Sequence, residues 1–121
     1  MTNTTAIKRD KSKTMNIIAQ ELACKYMQAN GYKILFRNYE CALGKIHLIT
    51  KKDGYLIFAQ VVLDSNKKRQ ELIKEGKRTS AYYVKRYGIT NILRSRFDVV
   101  SVRIVPDKEP VVKIETVGVK G

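Results

Sequence analysis

The spacing of apolar residues changes period along the chain, and each change marks an element. Between Met15 and Ala29 the positions Met15, Ile18, Ala19, Leu22, Ala23 and Tyr26 recur at helical spacing and form one stripe. Thr14 stands where an N-cap belongs, and Asn30-Gly31 supplies a stop, because both residues tolerate positive φ. Tyr32 to Tyr39 reads as a strand. Gly44–Thr50 and Tyr55–Leu63 read as a hairpin around Asp53-Gly54. Asp64-Ser65-Asn66 opens a second helix over about 67–87, with Leu72, Ile73, Ala81, Tyr83, Val84 and Tyr87 inward and Gly76 and Ser80 allowing close packing. Gly88 ends it. Phe97–Val105 and Val111–Val117 follow as strands around a Pro106–Pro110 turn. The order helix, three strands, helix, two strands predicts an α/β fold with a mixed central sheet of about five strands flanked by helices.

Composition bounds the class. Residues 1–13 are polar and mixed in charge, as expected of a flexible basic arm, and 14–121 form a single domain. With 44% hydrophobic and 29% charged residues the chain has the balance of a globular protein. No apolar run approaches the ~20 residues that cross a bilayer, and MTNTTAIKRDKSKT lacks the apolar core of a signal peptide. A cytoplasmic protein with no membrane partner is expected. Cys24 and Cys41 are too few for a disulfide framework, and two reduced thiols are the simpler expectation.

Charge narrows the partner. Lys and Arg number 24 against 11 acids, a net +13 with a pI near 9.9. Such an excess favours polyanions through counterion release and steering. Residues 66–96 hold ten basic side chains against Glu71 and Glu75. At 100° per residue, Lys67, Lys74, Arg78 and Lys85 fall within about 40° of one another and predict a basic ridge opposite the apolar stripe. No helix-turn-helix or zinc finger accompanies the ridge, so base-sequence reading is not expected.

The hairpin carries the candidate chemistry. Lys45 and His47 are two apart on its first strand, and Gln60 and Val62 two apart on its second, so each pair shares a face. From about Gln20 to Arg103 the chain resembles the YraN family, bacterial proteins related to Holliday-junction resolvases with a restriction-endonuclease-like fold. The resemblance rests on Gly31-Tyr32-Lys33-Ile34-Leu35-Phe36-Arg37-Asn38-Tyr39, Gly44-Lys45-Ile46-His47-Leu48-Ile49, Phe58-Ala59-Gln60-Val61-Val62 and Arg96-Phe97-Asp98-Val99-Val100. The family pattern has glutamates at the positions of Gln20, Lys45 and Gln60, an aspartate at His47 and a lysine at Val62. The resemblance therefore implies a restriction-endonuclease-like core whose catalytic positions are degenerate.

Mg²⁺ binds hard oxygen ligands, and hydrolysis of a phosphodiester needs the ion to generate the nucleophile and neutralise charge. Gln60 offers one neutral oxygen, Lys45 repels a cation, His47 suits softer metals, and Val62 can orient nothing. A pseudo-nuclease with no catalytic residue, metal or cofactor is the expectation. It binds nucleic acid, DNA before RNA, through Lys45, His47 and Gln60 in the cleft and Lys67, Lys74, Arg78 and Lys85 on the ridge. Two alternatives stand beside it. One is an endonuclease whose Mg²⁺ site has moved to Glu21, Glu40 or Asp64; the other is a protein-interaction scaffold. Folds of this kind often act as homodimers, though no residue here marks an interface. Asp98 interrupts an apolar strand and is expected to be a satisfied buried carboxylate, bonded to backbone or to Arg96.

Overall fold

In the computed structural model, which describes residues 4–89 and 94–120 (side chains 14–89 and 94–118), five strands and two helices follow the expected order. Helix α1 spans Thr4–Ala29, strands β1, β2 and β3 span Lys33–Cys41, Gly44–Lys52 and Tyr55–Leu63, helix α2 spans Arg69–Arg86, and β4 and β5 span Arg94–Arg103 and Val111–Lys120. The sheet runs β1-β2-β3-β4-β5. Pairing is antiparallel throughout except between β3 and β4, which are parallel and joined through α2. This is an α/β protein with a mixed five-stranded sheet, consistent with a restriction-endonuclease-like core.

The central strand explains the layering. All but the two end residues of β3 are buried, as expected of a near-continuous apolar run covered on both faces. Ile57, Ala59 and Val61 join Ala19, Ala23, Cys24 and Met27 of α1 in one cluster. Leu56, Phe58 and Val62 join Val84 of α2, Ile46, Phe97 and Val99 in the other. Each helix covers one face. Lys52-Asp53-Gly54-Tyr55 makes the β2–β3 turn, with Asp53 and Gly54 both at positive φ (52° and 81°) between the paired Lys52 and Tyr55. That backbone matches the strand twist, and the Asp-Gly pair supplies it at low cost.

The helices depart from expectation in three ways. The backbone of α1 is already helical at Thr4, ahead of Met15, although the side chains of the expected arm lie outside the described residues. Its buried stripe is Ala19, Ala23, Cys24 and Met27, while Ile18 and Tyr26 are exposed. Met27 is buried with the two alanines in the α1-side cluster, while Ile17, Ile18 and Tyr26 lie at the helix margin. Helix α2 starts at Arg69, because Asn66 turns the chain first: its Oδ1 accepts the Lys68 amide at 2.8 Å. Lys67 therefore lies in that turn and not on the helix.

Asp98 is fully buried and satisfied. Its Oδ1 accepts from Arg96 Nε at 3.0 Å and Thr116 Oγ1 at 2.9 Å, and its Oδ2 from Arg96 Nη2 at 3.1 Å and Tyr32 Oη at 3.2 Å. Burial, and then the Asp98 carboxylate, raises the Tyr32 phenol, which keeps it a donor. The network is structural and ties α1's exit to β4. Both cysteines are free thiols, Cys24 buried and Cys41 partly so. No helix among the described residues is long and apolar enough to cross a membrane.

Candidate functional site

The β2–β3 ladder ends early. It pairs Lys52 with Tyr55 through Leu48 with Ala59 and stops. Beyond that point β2 stays with β1 (Ile46 with Tyr39, Lys45 with Glu40), and β3 stays with β4 (Gln60 with Val99 through Leu63 with Val102). The two strands fork, and the backbone groups facing into the fork need other partners.

Gln60 and His47 supply them. The His47 amide donates to Gln60 Oε1 at 3.0 Å, and Gln60 Nε2 donates to Lys45 O at 3.2 Å and to Leu72 O of α2 at 2.9 Å. The Val61 amide donates to His47 Nδ1 at 2.9 Å. Side chains thus replace ladder bonds across the gap. Because Nδ1 accepts, the imidazole proton sits on Nε2. Burial, and after it the Lys45 ammonium, lowers the His47 pKa from 6.5 to about 4, so the ring is neutral at pH 7.

A cavity of about 250 Å³ opens at the fork, lined by Asn16, Ala19, Gln20, Lys45, His47, Val61, Leu63, Asn66 and Leu72. No carboxylate is in that lining. Gln20, Lys45 and His47 do meet there. Gln60 does not face the cavity as a free donor: it is 0% exposed, and both ends of its amide are engaged. Val62 is buried in the α2-side cluster with Phe58 and Val84. A larger apolar cavity of about 300 Å³ lies elsewhere, between α2 and β4–β5, around Phe58, Val84, Phe97 and Val117.

Lys45 is held at both ends. Its amide donates to Glu75 Oε2 at 2.9 Å, and its ammonium lies 3.1 Å from Glu40 Oε1. Both side chains of the Lys45–Glu40 pair are partly exposed, so the attraction is weak and exchangeable. Of the expected contacts Lys45, His47 and Gln60, the structure takes Gln60 out of the cavity and leaves Lys45 and His47 in its lining. Lys45 already has a carboxylate partner, His47 is uncharged, and Gln60 is sealed.

The three carboxylates of the displaced-site alternative do not converge. Glu21 pairs with Arg37, Glu40 with Lys45, and Asp64 with Arg103 at 3.3 Å. Among the described residues no three His, Cys, Asp or Glu side chains come together as metal ligands. The lining of the fork does not fit Mg²⁺, since it offers only neutral amide oxygens (Asn16, Gln20, Asn66) beside the Lys45 cation and no carboxylate.

The ridge survives in part. Lys74, Arg78 and Lys85 are exposed on α2, and Arg78 Nε donates to Leu43 O at 2.8 Å, which fixes the guanidinium over the β1–β2 turn. Lys67 is exposed in the turn before the helix. Of the tyrosines able in principle to stack on bases, Tyr32 is buried in the Asp98 network, Tyr55 lies under Arg96 (5.6 Å), Tyr39 and Tyr83 pack edge-to-face at 5.0 Å, and Tyr82 is exposed. Two half-exposed rings, Phe36 and Tyr87, have no signal as surface residues in the sequence. The helical period puts Tyr87 in the apolar stripe, and Phe36 lies on an edge strand where alternation is broken by a bulge between Ile34 and Phe36.

Residues 19–102 match the model of the uncharacterised protein family UPF0102. The chain belongs to this family. A UPF0102 protein of Legionella pneumophila is 33% identical over 96 residues, covering 69% of this chain and 78% of that one. One from Thermotoga maritima is 33% identical over 95 residues (74% and 84%), and one from Lachnoclostridium phytofermentans 35% over 86 (64% and 73%). The UPF0102 match spans α1 from Ala19 through β4, so it contains the fork and α2 and confirms the YraN resemblance.

Proposed function

We propose that this UPF0102 protein binds nucleic acid along its phosphate backbone and does not cut it. The observation that carries the reading is the fork: the two side chains at its centre are spent on holding β2 and β3 together, and the cavity between them is lined without a carboxylate. Among the described residues no group of carboxylates is gathered there to hold an ion for cleavage. Binding rests on the net charge of +13 and on the exposed Lys74, Arg78 and Lys85, with Lys67 beside them. Lys45, at the mouth of the fork, joins the contact when phosphate displaces Glu40, and His47 offers its Nε2 proton to the cavity. DNA is the first partner to test, because the fold resembles that of enzymes acting on DNA.

The test is fluorescence anisotropy of labelled DNA and RNA at several salt concentrations, with strand integrity followed in Mg²⁺ and in Mn²⁺. The expected result is a steep fall of affinity with salt and intact strands throughout. Affinity indifferent to salt removes the binding half of the proposal. Divalent-dependent cleavage by the purified chain removes the other half.

A further inference from the structure

Four aromatic rings form a connected chain from β1 to the end of α2. Phe36 meets Tyr39 at 6.5 Å between centroids, Tyr39 meets Tyr83 at 5.0 Å, and Tyr83 meets Tyr87 at 4.7 Å. The inner rings are anchored, because Tyr83 also packs edge-on to the buried Phe58 at 5.4 Å. The outer rings are not covered: Phe36 is 54% and Tyr87 53% exposed, with Tyr82 at 36%. A single exposed ring is ordinary, but a row of them fixed to the core is a surface waiting for a partner.

Its surroundings say which. Arg86 places its guanidinium 5.5 Å from the Tyr87 ring centre, and Lys85 and Arg78 are exposed on the same helix. Glu40, next to Tyr39 in the chain, faces the Lys45 ammonium, and Glu75, on the same helix as Tyr83, accepts the Lys45 amide. An apolar protein partner would meet a cationic margin. A polyanion with flat faces would meet rings and cations together.

We propose that Phe36 and Tyr87, backed by Tyr39 and Tyr83 and flanked by Arg86, form a stacking platform for unpaired bases, so that the preferred ligand is single-stranded nucleic acid. This rests on the backbone-binding reading above and adds the base faces to it. In a duplex the base faces are already stacked on one another, and the rings have nothing to meet. In a single strand each base offers a face, and such stacking tolerates any sequence.

The experiment compares three ligands of equal phosphate content: a single strand, the same strand with abasic sites, and a duplex. Binding is read by anisotropy at one fixed salt concentration, with tyrosine fluorescence quenching as a second signal. The single strand is expected to bind at least about tenfold more tightly than the abasic strand, the order of magnitude of one stacked base. F36A/Y87A is expected to bind the single strand no better than it binds the abasic one. Because both rings are exposed, that variant keeps the fold, and F36Y/Y87F is expected to retain the preference. Equal affinity for single and abasic strands in the unaltered protein, or an F36A/Y87A variant with its preference intact, overturns the platform while leaving backbone binding in place. A protein that binds none of the three overturns both.

Discussion

Replacing Gln60 with glutamate would remove the nitrogen that donates to Lys45 O and Leu72 O. It would also set a carboxylate against two carbonyl oxygens in a site with no exposure. Two broken hydrogen bonds and a buried unpaired charge together cost about 3 kcal/mol or more. We expect Gln60→Glu to unfold at distinctly lower urea, with no recovery on adding Mg²⁺. A Mg²⁺-dependent recovery would mean that the fork can still hold a cation. His47 makes a second prediction. Its pKa is lowered from 6.5 to about 4 on folding, so between these values the unfolded chain takes up a proton that the folded chain refuses. The contribution is complete above pH 6.5, declines by ~1.4 kcal/mol per unit toward pH 4 and is flat below, about 3 kcal/mol in total. His47→Asn keeps an acceptor for the Val61 amide without a titrating ring. The difference in unfolding free energy between the two proteins should therefore change across this window; a difference independent of pH would show that His47 does not titrate as its burial dictates.

At the scale of elements, α2 sits as close to the sheet as it does because residue 76 has no side chain. A Cβ on Gly76 would fall 2.8 Å from Phe97 Cε1 and Cζ and 3.2 Å from Gln60 Cδ. Gly76→Ala gains helix propensity of about 1 kcal/mol, against an overpacking cost of about 1–3 kcal/mol. Phe97 is buried on β4 and Gln60 is pinned by its own hydrogen bonds, so neither yields and the cost wins. The thermal midpoint is expected to fall by several degrees, and the loss should shrink in a Phe97→Leu background if the clash is the cause. The strands are legible in the sequence because each is an apolar run bounded by turn residues, and Gly76 is legible as a close-packing position. The stripe of α1 is not, because apolar residues lie on more than one face of the helix and only packing on the sheet selects Ala19, Ala23, Cys24 and Met27 over Ile18 and Tyr26. Nor is the fork legible. Spacing does put Gln60 and Val62 on one face, but whether that face meets solvent or lies under α2 depends on where the β2–β3 ladder ends, which is a property of four strands together. A polar residue within FAQVVL announces a partner; the sequence alone does not say that the partner is the backbone of β2.

For the whole molecule, the question is whether the charge of +13 acts as a diffuse excess or through one face. Two triple reversals with the same net charge separate these. Lys74, Arg78 and Lys85 lie exposed on α2, whereas Lys25, Lys108 and Lys113 are exposed on α1, in the β4–β5 turn and on β5. Changing any three cations to glutamate takes the net charge from +13 to +7, since each reversal removes two units. A diffuse excess would weaken both variants alike, because steering at long range sees only the total. Binding through α2 would instead weaken the first variant more. It would also flatten the dependence of log affinity on log salt by roughly 0.7–0.9 for each phosphate that the helix no longer neutralises. We expect the K74E/R78E/K85E slope to fall by about two or more while the K25E/K108E/K113E slope stays near that of the unaltered protein. Arg78 adds a constraint, since its Nε also bonds Leu43 O and its removal frees the β1–β2 turn. The K74E/K85E pair alone should therefore reproduce most of the change in slope, and equal slopes in the α2 and control variants would assign binding to net charge and not to a face.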